Sequence, residues 1–243
     1  MCTVSVLRGP WREADAPAGL LFRVVVNRDE RRTRAAARPP AVDDYDGIGA
    51  VHPVDPDGGG TWVAASAAGL VMVLLNGPAA PGARRSGPSR GLVIPRLLRA
   101  RGTAEAMALL SATDARRYAP FRLLILASDG VVDAVGGARG LSCTRTPPFA
   151  RLVRTSSSVR HAEVHSARTR LFTEMVARGS RRSQDAFHSH RWVHDGPASV
   201  LMERADARTV SRTVVEVFAD RVGLEYRPLP GLTRTETGLA RRR

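Results

Sequence analysis

Short apolar runs, each cut off by turn residues, recur along this chain and restrict it to sheets built from hairpins. Thr3 to Leu7 alternates as a half-buried strand does. Leu20 to Val26 carries its β-branched residues at its C-terminal end. Thr61 to Ser66 and Leu70 to Leu75 meet at Ala67-Ala68-Gly69, a hairpin signal. Phe121 to Ala127 and Val131 to Val135 flank the turn Ser128-Asp129-Gly130. Ala150 to Ser158, Ala198 to Glu203, Thr213 to Phe218 and Leu224 to Arg227 read as further strands. Helical blocks interrupt them. Ser89 is placed to cap a helix through about Arg101, and Thr103 to cap a second through Ser111. His165 to Arg178 sets Leu171, Phe172, Met175 and Val176 on one stripe. Arg31 to Asp57 reads as a long surface excursion, and Ala79 to Gly87 as a connection rich in Pro, Gly and Arg. Hairpin strands with segregated helices predict an α+β layout of antiparallel sheets. We expect one domain over residues 1–231 and a polar, Arg-rich, disordered tail over 232–243.

Hydrophobic residues make up 43% of the sequence and aromatics 5%, so the core must be filled by aliphatic side chains and Ala. No run approaches the ~20 apolar residues that span a bilayer, so no transmembrane segment is expected. No charged stretch followed by an apolar core opens the chain as a signal peptide would. The two cysteines, Cys2 and Cys143, outline neither a disulfide framework nor a metal site, and a reducing, cytoplasmic setting is the default. The formal net charge of +14 comes entirely from Arg, with no Lys. These arginines are scattered, and no nucleic-acid-binding motif accompanies them, so no specific nucleic acid is expected as a partner. His188, His190 and His194 lie close in sequence without the Cys or carboxylate spacing of a zinc site. They read as chance histidines of a loop, and no metal is expected.

The chemistry-bearing candidates begin at Cys2. If Met1 is removed, one residue carries both a thiol and a free α-amine, whose pKa of roughly 7.7–8.0 leaves part of it able to act as a base. Nucleophile and base then share a residue. The strand from Leu20 runs into Asn27-Arg28-Asp29-Glu30, which also reads as a polar turn. Arg28 is placed to stabilise a thiolate at Cys2, and Asp29 to hold the amine. Neighbouring residues on an extended strand face opposite ways, so only one of the two is expected to reach Cys2 unless the chain turns there. Gly58-Gly59-Gly60-Thr61-Trp62 allows close backbone approach, and Asn76 ends a strand where its amide could hold an oxyanion.

Together, Met1-Cys2-Thr3, Asn27-Arg28-Asp29-Glu30, Gly59-Gly60-Thr61-Trp62 and Ser89-Arg90-Gly91 resemble the NRDE family, the transport and Golgi organisation protein 2 homologues. The chain is also similar at its start to cysteine-dependent N-terminal nucleophile (Ntn) hydrolases. The resemblance implies a four-layer αββα sandwich. It implies Cys2, Arg28, Asp29 and Asn76 as catalytic residues and Asn27, Trp62 and Arg90 as substrate-binding ones. It departs from the family near the C-terminus, where Val210 replaces an expected Arg between Arg208 and Arg212. Two functions follow. One is a cysteine amidohydrolase acting on an amide or ester of a small molecule, with no cofactor required. The other is a non-catalytic carrier of haem or of a lipid or acyl-CoA on the same scaffold.

Overall fold

A computed structural model of the protein describes residues 2–11, 16–77, 87–229 and 234–241. In chain order the strands are β1 (Cys2–Arg8), β2 (Leu20–Arg31), β3 (Arg38–Tyr45), β4 (Ile48–Val54), β5 (Val63–Ser66) and β6 (Val71–Asn76). After a helical segment come β7 (Phe121–Ala127), β8 (Gly130–Gly137), β9 (Gly140–Thr146) and β10 (Arg151–Ser156). The last three are β11 (Ala207–Phe218), β12 (Arg221–Pro228) and β13 (Thr235–Ala240). The helices are α1 (Thr103–Ser111), α2 (His161–Met175) and α3 (Arg181–Ser189).

These strands form two antiparallel sheets. One runs β10-β1-β2-β11-β12-β13 and the other β3-β4-β5-β6-β7-β8-β9. The period of two in β1 and β2 explains how the layers stack. Val4, Val6, Phe22, Val24 and Val26 face the second sheet and meet Val51, Val63, Val73 and Leu124 in the central core. Leu7 and Val153 face the other way, against Phe172 of α2 and Phe187 of α3. Leu123 and Ile125 of β7 pack under Leu97, Ala106 and Leu110 on the outer side of the second sheet. Strand β7 is thus covered on both faces, which is why it reads as a continuous apolar run rather than an alternating one. Each fully buried Val or Leu contributes about 1.5–3 kcal/mol relative to exposure. The order of layers is helix, sheet, sheet, helix.

Several expectations are corrected. The tetrapeptide Asn27 to Glu30 is the end of β2, not a turn. The excursion from Arg31 contains the β3–β4 hairpin, whose outer strand is mostly exposed and therefore polar. Residues 89–101 form two short 3₁₀ turns, Arg90–Leu92 and Ile94–Leu97, because Pro95 lacks the N–H an α-helix would need there. Ser89 makes no side-chain cap, and the cap of α1 is Gly102, while the Thr103 hydroxyl donates to Asp129. Residues 198–203 are irregular, and α3 occupies a segment read as loop, including His188. Within the expected tail, β13 pairs with β12 through residues such as Leu239 and Val222. The connection at 79–86 and residues 232, 233, 242 and 243 lie outside the described residues.

Candidate active site

Cys2 opens β1 between two partners, with Arg28 of β2 opposite it on one side and Ser156 of β10 on the other. A strand with neighbours on both edges holds its residues in fixed positions. The Cys2 nitrogen donates to Ser156 Oγ at 3.1 Å, and the Thr155 hydroxyl donates to the Cys2 carbonyl at 3.3 Å. The side chain of Cys2 points with Val4 and Val6 toward the central core; the residue is 6% exposed and lines a cavity of about 320 Å³.

That cavity gathers Cys2, Arg28, Asp29, Trp62, Asn76 and Arg90. Arg28 lies on the inner face of β2. Its guanidinium sits 4.3 Å from the centroid of the Trp62 ring and pairs with Asp55 at 3.2 Å and Glu30 at 3.6 Å. Arg34 binds the same Asp55 oxygen at 2.7 Å. Trp62 Nε1 is buried with no hydrogen-bond partner among the described residues, although it belongs to the cavity wall. Asn76 ends β6 at the rim, and Arg90 donates to the Pro120 carbonyl at 2.9 Å.

The glycines bring the two remaining walls together. A side chain at Gly60 would stand 2.2 Å from the carbonyl carbon of Gly91, so only glycine permits this approach. Thr61 N donates to the Gly91 carbonyl at 3.1 Å across the contact. The Gly-Gly-Thr-Trp and Ser-Arg-Gly segments are therefore adjoining parts of one wall.

Asp29 faces the helical layer. Its carboxylate accepts from the Thr209 hydroxyl at 2.6 Å and lies 3.7 Å from Arg168 of α2. Arg168 is 1% exposed. It also donates to Thr3 Oγ1 (2.7 Å), Thr155 Oγ1 (2.9 Å) and the carbonyls of Ala198 (2.9 Å) and Ser199 (2.7 Å). Neither Arg168 nor Thr209 was among the residues expected at the site. A basic residue on the buried stripe Val164, Arg168, Phe172 was the available signal. The serine-rich stretch acquires a place as well, since Thr155 and Ser156 hold the backbone of Cys2.

Asn27 is the exception. Its amide donates to the carbonyls of His188 (2.9 Å) and Val200 (3.0 Å), on the helical side of the sheet, and it does not line the cavity. The alternation that puts Arg28 inside puts Asn27 outside. Its expected role in substrate binding is replaced by one in joining β2 to α3.

The electrostatics differ from expectation at the thiol. Burial pushes the Cys2 pKa up, the chain-terminal amino group and Arg28 pull it down, Asp29 and Glu30 push it up, and the net shift is upward. The resting group is a thiol, so attack requires a base. Burial likewise raises the Asp29 carboxyl, while Arg168 and the Thr209 hydroxyl pull it back. His188 is driven well below the usual imidazole value by burial and by Arg212, Arg23 and Arg168. As a neutral ring it shares a 2.7 Å hydrogen bond with the Ser5 hydroxyl. No group of three or more His, Cys, Asp or Glu arranged for a metal occurs among the described residues.

Two antiparallel sheets between helical layers, with a cysteine at the start of an inner strand, define the Ntn-hydrolase fold. Solved structures carry the comparison. A cysteine-to-alanine variant of the conjugated bile acid hydrolase from Clostridium perfringens is similar over 98% of this chain and 92% of its own, at 10% identity and TM-score 0.56. An arginine-to-leucine variant of that enzyme matches over 97% and 92%, at 10% identity and TM-score 0.58. The Caenorhabditis elegans orthologue of N-acylethanolamine-hydrolyzing acid amidase matches over 88% and 92%, at 14% identity and TM-score 0.55. Among curated proteins none matches the chain. The model of the Transport and Golgi organisation 2 family matches residues 13–187, and the chain belongs to that family.

Proposed function

We propose that the protein is an N-terminal cysteine amidohydrolase that cleaves an amide or ester bond of a small molecule. The observation that carries this reading is the position of Cys2, in the lining of a polar cavity with its nitrogen held by Ser156. With Met1 removed, that nitrogen is an α-amine on the residue that bears the thiol. The amine takes the thiol proton, and the sulfur attacks the substrate carbonyl to form a C–S bond. Asn76 is the side chain assigned to the resulting oxyanion. The protonated amine then gives its proton to the leaving nitrogen or oxygen, the bond to it breaks, and water hydrolyses the thioester. Because the thiol is not ionised at rest, Arg28 has its role in steadying the negative charge as it forms. Asp29 acts from the opposite face, near the backbone of Cys2, and Arg168 and Thr209 fix its orientation. Trp62 Nε1 supplies an unused donor to the substrate, and Arg90 a cation at the wall. The structural neighbours, one named a conjugated bile acid hydrolase and one an N-acylethanolamine-hydrolyzing acid amidase, support the reading. A reducing, cytoplasmic setting, in which the thiol stays reduced, is part of the same proposal; no described helix is long and apolar enough to cross a membrane. Intact-mass analysis tests it. The purified chain should lack Met1, and incubation with a panel of N-acyl amides should give an acyl adduct on Cys2. Retained Met1 removes the base and with it the proposal.

A second cavity supports the carrier reading. It measures about 420 Å³ and is lined by Ala36, Ala37, Val210, Tyr226 and Leu229, with Arg31 and Arg208 beside them. An apolar floor with guanidiniums suits a lipid or acyl-CoA anion, or the propionates of haem. Its described lining contains no His, Cys or Met; Tyr226 is the one side chain there of a type that ligates haem iron, and the guanidiniums would hold the propionates. Haemin binding without turnover of any amide would favour this reading over the first.

A further inference from the structure

A separate cavity of about 320 Å³ lies between the end of the second sheet and α2, lined among others by Asn76, Arg122, Thr155, His161 and His165. It adjoins the catalytic cavity, because Asn76 lines both. Thr155, in its wall, is the residue that donates to the Cys2 carbonyl. A molecule with its reacting carbonyl at Cys2 and Asn76 could therefore extend past Asn76 into this space.

The charges around it are unbalanced. From β7, Arg122 binds Asp133 of β8 through two hydrogen bonds of 2.6 and 3.0 Å. From β10, Arg154 binds the same carboxylate at 3.1 Å. Two guanidiniums thus share one acid. From α2, His161 and His165 stand one turn apart with ring centroids separated by 6.3 Å. His161 bonds locally to the Ser157 carbonyl at 3.2 Å. The His165 pKa is lowered by burial and then by His161, Arg122 and Arg154, all of them cations or potential cations. Arg122, His161 and His165 line the space itself, no carboxylate does so among its described lining, and the Asp133 charge behind Arg122 is already shared with Arg154.

We infer that this cavity receives an oxyanion-bearing group, a carboxylate, sulfonate or phosphate, belonging to the molecule whose carbonyl meets Cys2. Arg122 and the two imidazoles meet the anion, and Asn76 bridges it to the reacting bond. The link to the scissile carbonyl rests on the hydrolase reading; binding of the anion does not.

The test uses the full chain carrying Cys2→Ala, which binds without turnover. N-benzoylglycine and its uncharged counterpart N-benzoylglycinamide are titrated while the histidine ring signals are followed by NMR. The carboxylate should shift the His161 and His165 signals saturably and raise the His165 pKa, since it supplies the negative charge that the ring lacks. The amide should bind about tenfold more weakly or worse, the size of one lost charge-assisted hydrogen bond. Phenyl phosphate and benzenesulfonate, titrated in the same way, distinguish the oxyanions. Ala162 is exposed on α2 and lines the cavity, so Ala162→Glu adds a negative charge without breaking an ion pair. It should abolish the shifts. Equal binding of acid and amide, or shifts that survive Ala162→Glu, would overturn the inference. If the anion binds as stated and no amide ever acylates Cys2 in the wild-type chain, the hydrolase reading fails while this site stands.

Discussion

Arg168 and Asp29 meet 3.7 Å apart with their side chains 1% and 0% exposed, one projecting from α2 and the other from β2. A buried carboxylate keeps its charge only if a partner compensates it. Arg168 does so while joining Thr3, Thr155 and the 198–199 carbonyls to the same point.

Arg168→Met should therefore destabilise the protein by about 3–5 kcal/mol, because it removes the buried cation that compensates the Asp29 carboxylate. Urea unfolding followed by circular dichroism measures this. An unchanged midpoint would show that the pair does not contribute. The double variant Arg168→Met with Asp29→Asn should recover part of the loss, since no unpaired charge then remains.

Alkylation of Cys2 by iodoacetamide should follow a titration curve whose midpoint lies above that of an ordinary thiol, as burial dictates. Asp29→Asn should move that midpoint down, because the Asp29 charge raises the thiol pKa. Arg28→Gln should move it up, because Arg28 lowers it. Peptide mapping separates Cys2 from Cys143, whose thiol is also raised by burial but which is less enclosed. Movement of either variant in the opposite direction would contradict the assigned electrostatics.

Stability should decline as pH falls below about 6.5, the value a histidine takes in an unfolded chain. His188 is buried and its folded pKa lies well below that value. Between the two values the unfolded state binds more protons, so the stability present above the unfolded pKa is lost as pH falls toward the folded one. His188→Gln should flatten that part of the pH profile. If the slope persists unchanged, another group is responsible.

Gly60→Ala should cost about 1–3 kcal/mol and reduce activity, because the new methyl group overlaps the backbone of Gly91. Gly223→Ala is the control, since nothing stands within 4 Å of a side chain there. Equal effects of the two substitutions would mean that the close approach has no special importance.

Much of the sheet framework was legible because burial imposes its pattern on the chain. Strands β1, β5, β6 and β7 are buried along almost their whole length, and their apolar runs marked them. The β3–β4 hairpin was missed because its outer strand is largely exposed. Its turn signal was nonetheless present: Asp46-Gly47, both at positive φ, is the pairing that a tight hairpin requires. In the site, Cys2, Arg28, Trp62, Asn76 and Arg90 were recognisable and line one cavity. Asn27 was misplaced because membership of a motif does not say which face a residue takes. Arg168, Thr209 and Ser156 reach the site by contacts across 139, 180 and 154 residues, and no local pattern encodes such distances.

The contact between Gly60 and Gly91 makes that part of the cavity out of peptide groups rather than side chains. A boundary of this kind has no surface that point substitution can reshape without breaking it. Changes of ligand among related chains must then be sought at positions that present side chains to the cavity, such as Arg34, Arg90 and Ala119. The glycine contact is the fixed template against which those positions can diversify.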